Sequence, residues 1–418
     1  MFPIALCVLL ASTALALPSD EYARFSDEEL MRYFGVESHE KAPEYEIVYP
    51  EVATAESKRS VGRSAIPAKY LEVQVDAFGK TIHLELDHDD ANIRPGLEVE
   101  YVTDEGVVKV PVRTDCMYTG KVVGEPNSMA SVTMCEGLMA VVNHAAGPTY
   151  IEPLDDVHAF KRDIGRGLPH VAYKRMPDNG ASCPVTLDSV YAQYEPEVTD
   201  EDDAENVDPE STKYLELAFI GDSVLYDLRG SNTETCLKTL FLAVKNVLQL
   251  STLAGTALVP TLVHMKIFTS AESGLQTCPD ALTSLQRARD WQYANRFSSS
   301  DSRHWDNAAV FTGWSLDSGS TLGIAYVGSC GGKYSVSVST FRNLDTTNVA
   351  AHEVGHNLDM SHDSDGNGCS SSGYIMAAYV NDHRDDPNWS SCSKSYYNSF
   401  VGSNSCYNDV SEDNYTYP

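Results

Sequence analysis

The sequence predicts an α/β protein in which helices pack on a mixed, twisted sheet in the C-terminal half and a mostly β region comes first. Period-two alternation of apolar and polar residues recurs before residue 195, strand-like and helix-like periods alternate after residue 213, and a purely acidic run separates the two.

Residues 70–75 (YLEVQV), 82–86 (IHLEL) and 106–110 (GVVKV) alternate as strands with one buried face do. From residue 195 to 210 the chain carries nine acidic residues, no basic ones, and prolines at 196 and 209. Such a stretch cannot bury enough apolar surface to fold alone and reads as an exposed linker. Residues 214–220 then alternate as a strand. Leu237, Leu240, Phe241, Val244, Val247 and Leu248 fall at spacings of three and four, the mark of an amphipathic helix. Residues 262–268 read as another strand and 281–293 as a weaker helix. The expected organisation is a leader (1–16), a β-rich domain (17–194), the linker (195–212) and an α/β domain (213–418).

With 42% apolar and 22% charged residues over 418 positions, wholesale disorder is excluded. The net charge of −30 repels nucleic acid, heparin-like polymers and anionic membranes, so none of these is an expected partner. Residues 2–17 form an apolar run too short to span a bilayer and end in Ala14-Leu15-Ala16, a small-x-small cleavage pattern. This predicts a secretory signal and a soluble, extracellular, monomeric product without a membrane span.

Secretion makes disulfides the default for cysteines. Of ten, Cys7 leaves with the signal, so an odd one among the remaining nine is free, metal-bound or paired between chains. Cys116 and Cys135 lie in the β-rich part, and Cys236, Cys278, Cys330, Cys369, Cys392 and Cys406 follow the linker, which leaves Cys183 over. Spacing alone does not choose among the pairings of the last six. Asn388 and Asn414 head glycosylation sequons.

The most informative segment is AHEVGHNLDMSHD, residues 351–363. On a helix over 347–358, capped by Asp345 or Thr346, His352 and His356 share one face one turn apart. Two such imidazoles bind a single Zn²⁺. His362 completes the site if the chain turns sharply, leaving a fourth position for water. Glu353 reaches that water as general base without being a ligand. By composition the HExxH pattern arises by chance about once in forty chains of this length, and with His362 roughly once in a thousand.

The segment resembles the HExxHNxGxxHD signature of the adamalysin (reprolysin) branch of the metzincin zinc endopeptidases. Tyr374-Ile375-Met376 is similar to that family's Met-turn, with Met376 as an apolar floor under the metal. In the related astacins a tyrosine follows the methionine by two residues; here Ala378 stands there and Tyr379 is one place out of register, which favours adamalysins. Lys213-Tyr214-Leu215-Glu216-Leu217 resembles the family's opening strand, and Trp305-Asp306-Asn307-Ala308 a block ahead of the zinc helix. Residues 323–330 (GIAYVGSC) resemble its edge strand, which pairs with extended substrates, and 389–393 (WSSCS) its closing helix. Before the linker, Cys116 to Gly120, Ser128, Ser131, Cys135 to Leu138 and Ile151 to Leu154 resemble the adamalysin prodomain. No disintegrin-like cysteine density follows Tyr407, so a prodomain plus a catalytic domain is expected.

The resemblance implies a metzincin-like fold and a zinc-dependent endopeptidase made as a latent zymogen, acting on proteins or peptides through a metal-activated water with Glu353 as general base. It implies the disulfides Cys330–Cys406 and Cys369–Cys392, leaving Cys236–Cys278, beside Cys116–Cys135. It implies a latency role for Cys183 as a thiolate on the zinc, although Pro184 stands where the family has glycine. It also implies a structural Ca²⁺ held by Glu216, Asp306, the carbonyl of Cys406 and Asp409. Asp359 occupies a glycine position at a turn that requires a left-handed backbone, and is an alternative ligand. No dibasic site lies between Cys183 and Tyr214; Lys174-Arg175 precedes the cysteine.

Two other readings compete. Gly221-Asp222-Ser223 with Asp359 and His362 resembles the serine and Asp-x-x-His motifs of GDS-type esterases, with Ser223 as nucleophile. A secreted binding or decoy protein could keep the fold without turnover, Asp359 being its only support.

Overall fold

The computed structural model describes residues 24–54, 68–154, 168–176, 182, 212–271, 274–379 and 387–408. The signal, the acidic linker, Cys183, Asp409 and Asn414 lie outside these residues.

The chain opens with helix α1 (Asp27–Phe34), whose first turn is fixed by a reciprocal cap between Ser26 and Glu29. Strands β1 (Tyr45–Val48), β2 (Glu51–Thr54), β3 (Tyr70–Ala77), β4 (Lys80–His88), β5 (Glu98–Thr103), β6 (Gly106–Pro111), β7 (Met117–Val122), β8 (Met129–Thr133), β9 (Met139–Asn143), β10 (Thr149–Pro153) and β11 (His170–Tyr173) follow. Nine of them form one antiparallel sheet in the order β1-β11-β10-β9-β8-β7-β4-β3-β2. Its two edge strands are successive in sequence and separated only by Tyr49-Pro50, so the sheet must curl to bring its edges near each other. Val73, Val75, Leu84, Leu86, Val132 and Val142 pack together in one cluster of this sheet, as the period-two pattern requires.

The C-terminal part contributes β12 (Lys213–Gly221), α2 (Ser223–Arg229), α3 (Thr233–Leu248), β13 (Leu258–Phe268), α4 (Ala281–Asn295), β14 (Asn307–Thr312), β15 (Gly323–Ala325), β16 (Val336–Thr340), α5 (Thr346–Asn357) and α6 (Ser391–Val401). Its sheet runs β15-β16-β14-β12-β13-β5-β6. Strands β12, β13, β14 and β16 are parallel, whereas β15 is an antiparallel edge. Leu215, Leu217 and Phe219 of β12 face α3, and Ala218 and Ile220 face α4, so the two helices cover opposite faces.

That separation overturns one expected disulfide. Cys236 is fully buried in α3 and Cys278 precedes α4, so the sheet stands between them and both thiols are free. Burial pushes the Cys236 thiol up to about 12, which leaves it inert at neutral pH. The bonds Cys116–Cys135, Cys330–Cys406 and Cys369–Cys392 are formed.

Helix α3 is buried on both sides. Its apolar face, read in the sequence, lies on the sheet, while its polar face meets the β-rich part. There Thr239 hydrogen-bonds Thr133 at 2.7 Å, Asn246 donates to Ser131 at 2.8 Å, and Lys245 pairs with Asp89.

His170 ties β11 to the loop before β9. Its Nε2 accepts from the Leu138 amide at 2.9 Å and its Nδ1 donates to the Leu168 carbonyl, so the ring must be neutral. Burial lowers its pKa to about 4 from the ordinary 6.5. Because the folded value is depressed, this stabilisation is present above pH 6.5 and is lost as pH falls from 6.5 towards 4, a loss of about 3 kcal/mol. The urea midpoint should therefore drop between pH 7.5 and pH 4.5; an unchanged midpoint would contradict this.

Candidate metal centre

Helix α5 starts where the Asn343 side chain accepts from the Asp345 amide at 2.9 Å and Thr347 Oγ1 donates to the Leu344 carbonyl. Val354, Ala350 and Ala351 anchor it in the core shared with α3. It ends because Asp359 adopts φ = 69°, the left-handed conformation expected there, and the Met360 amide bonds back to the Gly355 carbonyl at 3.0 Å. This reversal swings His362 under the helix.

The three imidazoles converge. His362 Nε2 lies 3.1 Å from His352 Nε2 and 3.2 Å from His356 Nε2. His352 Nδ1 faces the Ile375 carbonyl at 2.6 Å and His356 Nδ1 faces the Met360 carbonyl at 2.7 Å. A carbonyl only accepts, so each Nδ1 carries the proton and each Nε2 presents a lone pair. Lone pairs aimed at one point repel unless a cation sits between them. Nitrogens around a tetrahedral Zn²⁺ stand about 3.3 Å apart, given Zn–N near 2.05 Å, so the donor set fits zinc. Burial lowers the pKa of His356 to about 3 and of His362 to about 4, holding both in the neutral, ligating form.

The surroundings fix these rings. Met376 Sδ lies so close to α5 that a Cβ on Gly355 would stand 2.9 Å from it, and the Trp389 ring closes the same gap. The Ile375 amide donates to the Asn388 carbonyl, and Ser390 donates to the buried Asp363 carboxylate. Asn357 donates to the carbonyls of Tyr326 and Val336, tying the helix end to the sheet. Glu353 is fully buried on the same helix and lies flush against edge strand β15: a Cβ on Gly323 would come within 2.3 Å of its Oε1. Sequence reasoning identified neither glycine's role nor that of Asn357, because close approach leaves no periodic trace.

Ser182 pairs with the segment leading into β15. Its amide donates to the Ser320 carbonyl at 2.9 Å, its carbonyl accepts from Leu322, and it also bridges Tyr379. The residue before Cys183 is thus held beside the segment that leads into edge strand β15. The Asp359 carboxylate turns to Gly328, where a Cβ would lie 2.5 Å from its Oδ1, so the group that could hold a metal is the three histidines without Asp359. Asp363, Cys369 and Cys392 also cluster, but the two cysteines are bonded to each other. The Asp306 amide donates to the Glu216 carbonyl at 2.9 Å, and Asp306 Oδ2 accepts from the Glu216 amide at 2.8 Å. Gly331 borders both Asp306 and Cys406, so three of the four candidate calcium positions lie together. Ser223 begins α2, and the preceding Asp222 caps that helix through the Leu225 amide. Among the described residues no hydrogen bond joins Ser223 to His362, and the esterase triad is not assembled.

Residues 213–409 match the family model for the reprolysin (M12B) family zinc metalloprotease, and residues 38–123 match the reprolysin family propeptide; together they cover about two thirds of the chain. The chain belongs to the reprolysin family. Similar relatives include a disintegrin and metalloproteinase with thrombospondin motifs 1 from Homo sapiens, 24% identical over 96% of this chain and 44% of the relative. A disintegrin and metalloproteinase with thrombospondin motifs 4 from Pongo abelii is 27% identical over 86% of this chain and 43% of the relative. A zinc metalloproteinase-disintegrin-like protein from Cerberus rynchops is 27% identical over 77% and 52%. This reprolysin thus spans about half the length of the curated relatives it matches. Among its described residues no helix is long and apolar enough to cross a membrane.

Proposed function

We propose that this reprolysin is a secreted endopeptidase, made as a latent zymogen, that hydrolyses peptide bonds in protein substrates with one Zn²⁺ held by His352, His356 and His362. The observation that carries this reading is the convergence of three Nε2 lone pairs beside a buried carboxylate on the same helix. When bound, zinc supplies a Lewis acid that polarises the scissile carbonyl and acidifies water. Glu353 takes the proton of the attacking water and passes it to the leaving amine. Ile375 and Met360 carbonyls hold the ring tautomers, and the edge at β15 offers backbone groups to an extended substrate.

Latency fits the pairing of Ser182 with the segment that leads into β15, the strand packed against Glu353, and Cys183 next to it is the candidate thiolate ligand. Lys174 donates to Thr149, and Arg175 faces Asp345 at 3.8 Å, so this dibasic pair is engaged in the fold. The activating cut therefore belongs in the acidic linker. Glu216, Asp306, Cys406 and Asp409 remain a candidate calcium site, and Asn388 and Asn414 candidate glycosylation sites. The decoy reading loses its support, since Asp359 takes the turn that glycine would.

The test is a chain carrying a specific protease site within residues 195–212. Cutting should raise hydrolysis of quenched peptides at least tenfold over the uncut chain. Equal activity before and after cutting would refute latency.

A further inference from the structure

Among the strands of the catalytic part alone, β13 is the edge opposite β15, and β5 and β6 of the propeptide region cover it. The Arg94 amide donates to the Leu262 carbonyl, the Leu262 amide donates to Asn92, and Val99 to Val102 pair in parallel with Met265 to Phe268. Opposite Lys266 stands Glu100, held at 2.9 Å by Lys266 and at 2.9 Å by Lys109 of its own hairpin, with His264 at 3.9 Å. Its strand neighbours turn the other way: Val99 enters the core and Tyr101 donates to Glu234 at 2.9 Å.

Two further cations of the catalytic part meet acids on the other side of the sheet, the side that α3 covers. Lys245 meets Asp89, and Arg229 meets Glu152 at 2.8 Å. In a chain of net charge −30, these cations of the catalytic part are all neutralised by acids of the propeptide. When the propeptide leaves, Lys266 loses Glu100 beside a strand edge with its backbone groups unpaired, and Lys245 and Arg229 lose their counter-charges on the α3 side of the sheet.

We propose that the face so uncovered is a docking site, remote from the cleft, for an acidic extended polypeptide segment that adds to β13 as a parallel strand with a carboxylate on Lys266. Backbone groups along β13 call for a peptide, which a sulfated polysaccharide cannot satisfy. The alternation describes the segment it fits: Val99 and Tyr101 turn apolar and aromatic groups to the α3 side, while Glu100 and then Val102 present an acid to Lys266 and an apolar group to the α4 side. This inference rests on the zymogen reading, in which the propeptide departs.

The linker-cut chain is stripped of propeptide at about 1 M salt, where the Debye length falls to about 3 Å. Its fold is checked by circular dichroism. Anisotropy is then read with a labelled peptide of residues 92–103. Binding should appear only on the stripped enzyme and persist with an active-site peptide inhibitor. It should weaken at least tenfold when the peptide carries Glu100→Lys, and recover when that peptide meets the Lys266→Glu enzyme. An unrelated strand peptide with the same alternation should bind within about tenfold of the first.

Equal binding to the uncut chain, displacement by the inhibitor, indifference to the charge swap, or a propeptide that cannot be stripped without unfolding would each overturn the proposal. Zinc-dependent hydrolysis is measured on the same sample. Strand binding without hydrolysis removes the peptidase reading and leaves the docking site standing; hydrolysis without strand binding does the reverse.

Discussion

Glu353→Gln should lower kcat for peptide hydrolysis by about 10²- to 10⁴-fold while zinc content stays unchanged. The side chain is fully buried, packs against Gly323 of the edge strand, and shares a helix with two of the metal-facing imidazoles. Glutamine keeps that shape but cannot take a proton, so the loss should fall on kcat and leave KM within a few-fold. Stopped turnover together with lost zinc would mean that Glu353 supports the metal instead. Unchanged turnover would remove it from the mechanism.

The second large effect concerns stability. Arg229 is buried, donates to Glu152 at 2.8 Å and to the Arg342 carbonyl at 3.0 Å, and stacks 4.9 Å above the Phe341 ring. Tyr173 donates to the same Glu152. This network joins strands β10 and β11 to residues 341–345, the segment that leads into α5. Tyr150 continues it by donating to Asp345 at 2.9 Å. Arg229→Met removes the cation and leaves the Glu152 charge buried, which should destabilise the zymogen by about 3–5 kcal/mol in urea unfolding. Replacing both partners, with Glu152→Leu added, should recover most of that loss. A single variant as stable as the parent would show that the pair contributes nothing.

Much of the fold is legible in the sequence where one periodicity governs one face. Strands β3 and β4 and the apolar face of α3 fall where alternation and three-four spacing place them. The zinc helix spans Thr346–Asn357 against an expected 347–358. The candidate metal ligands are legible because their spacing is the chemistry: four positions on a helix make one turn.

Long-range partners are not written this way. Residues 106–110 read correctly as a strand, but nothing local says that β5 and β6 extend the catalytic sheet and not the propeptide's own. Cys236 and Cys278 pair in the sequence only by exclusion, and a sheet lies between them. Arg229 and Glu152 are single polar residues in apolar surroundings, and their meeting depends on topology. Gly221-Asp222-Ser223 mimics a nucleophile motif because an N-cap uses the same residue types.

The central claim is that His352, His356 and His362 hold a zinc ion on which peptide hydrolysis depends. It is tested most directly on the linker-cut chain with a quenched peptide library, before and after treatment with a zinc chelator and after zinc is returned. The account predicts cleavage that the chelator abolishes and added zinc restores, with a single zinc per chain. Cleavage that survives complete removal of the metal would contradict it.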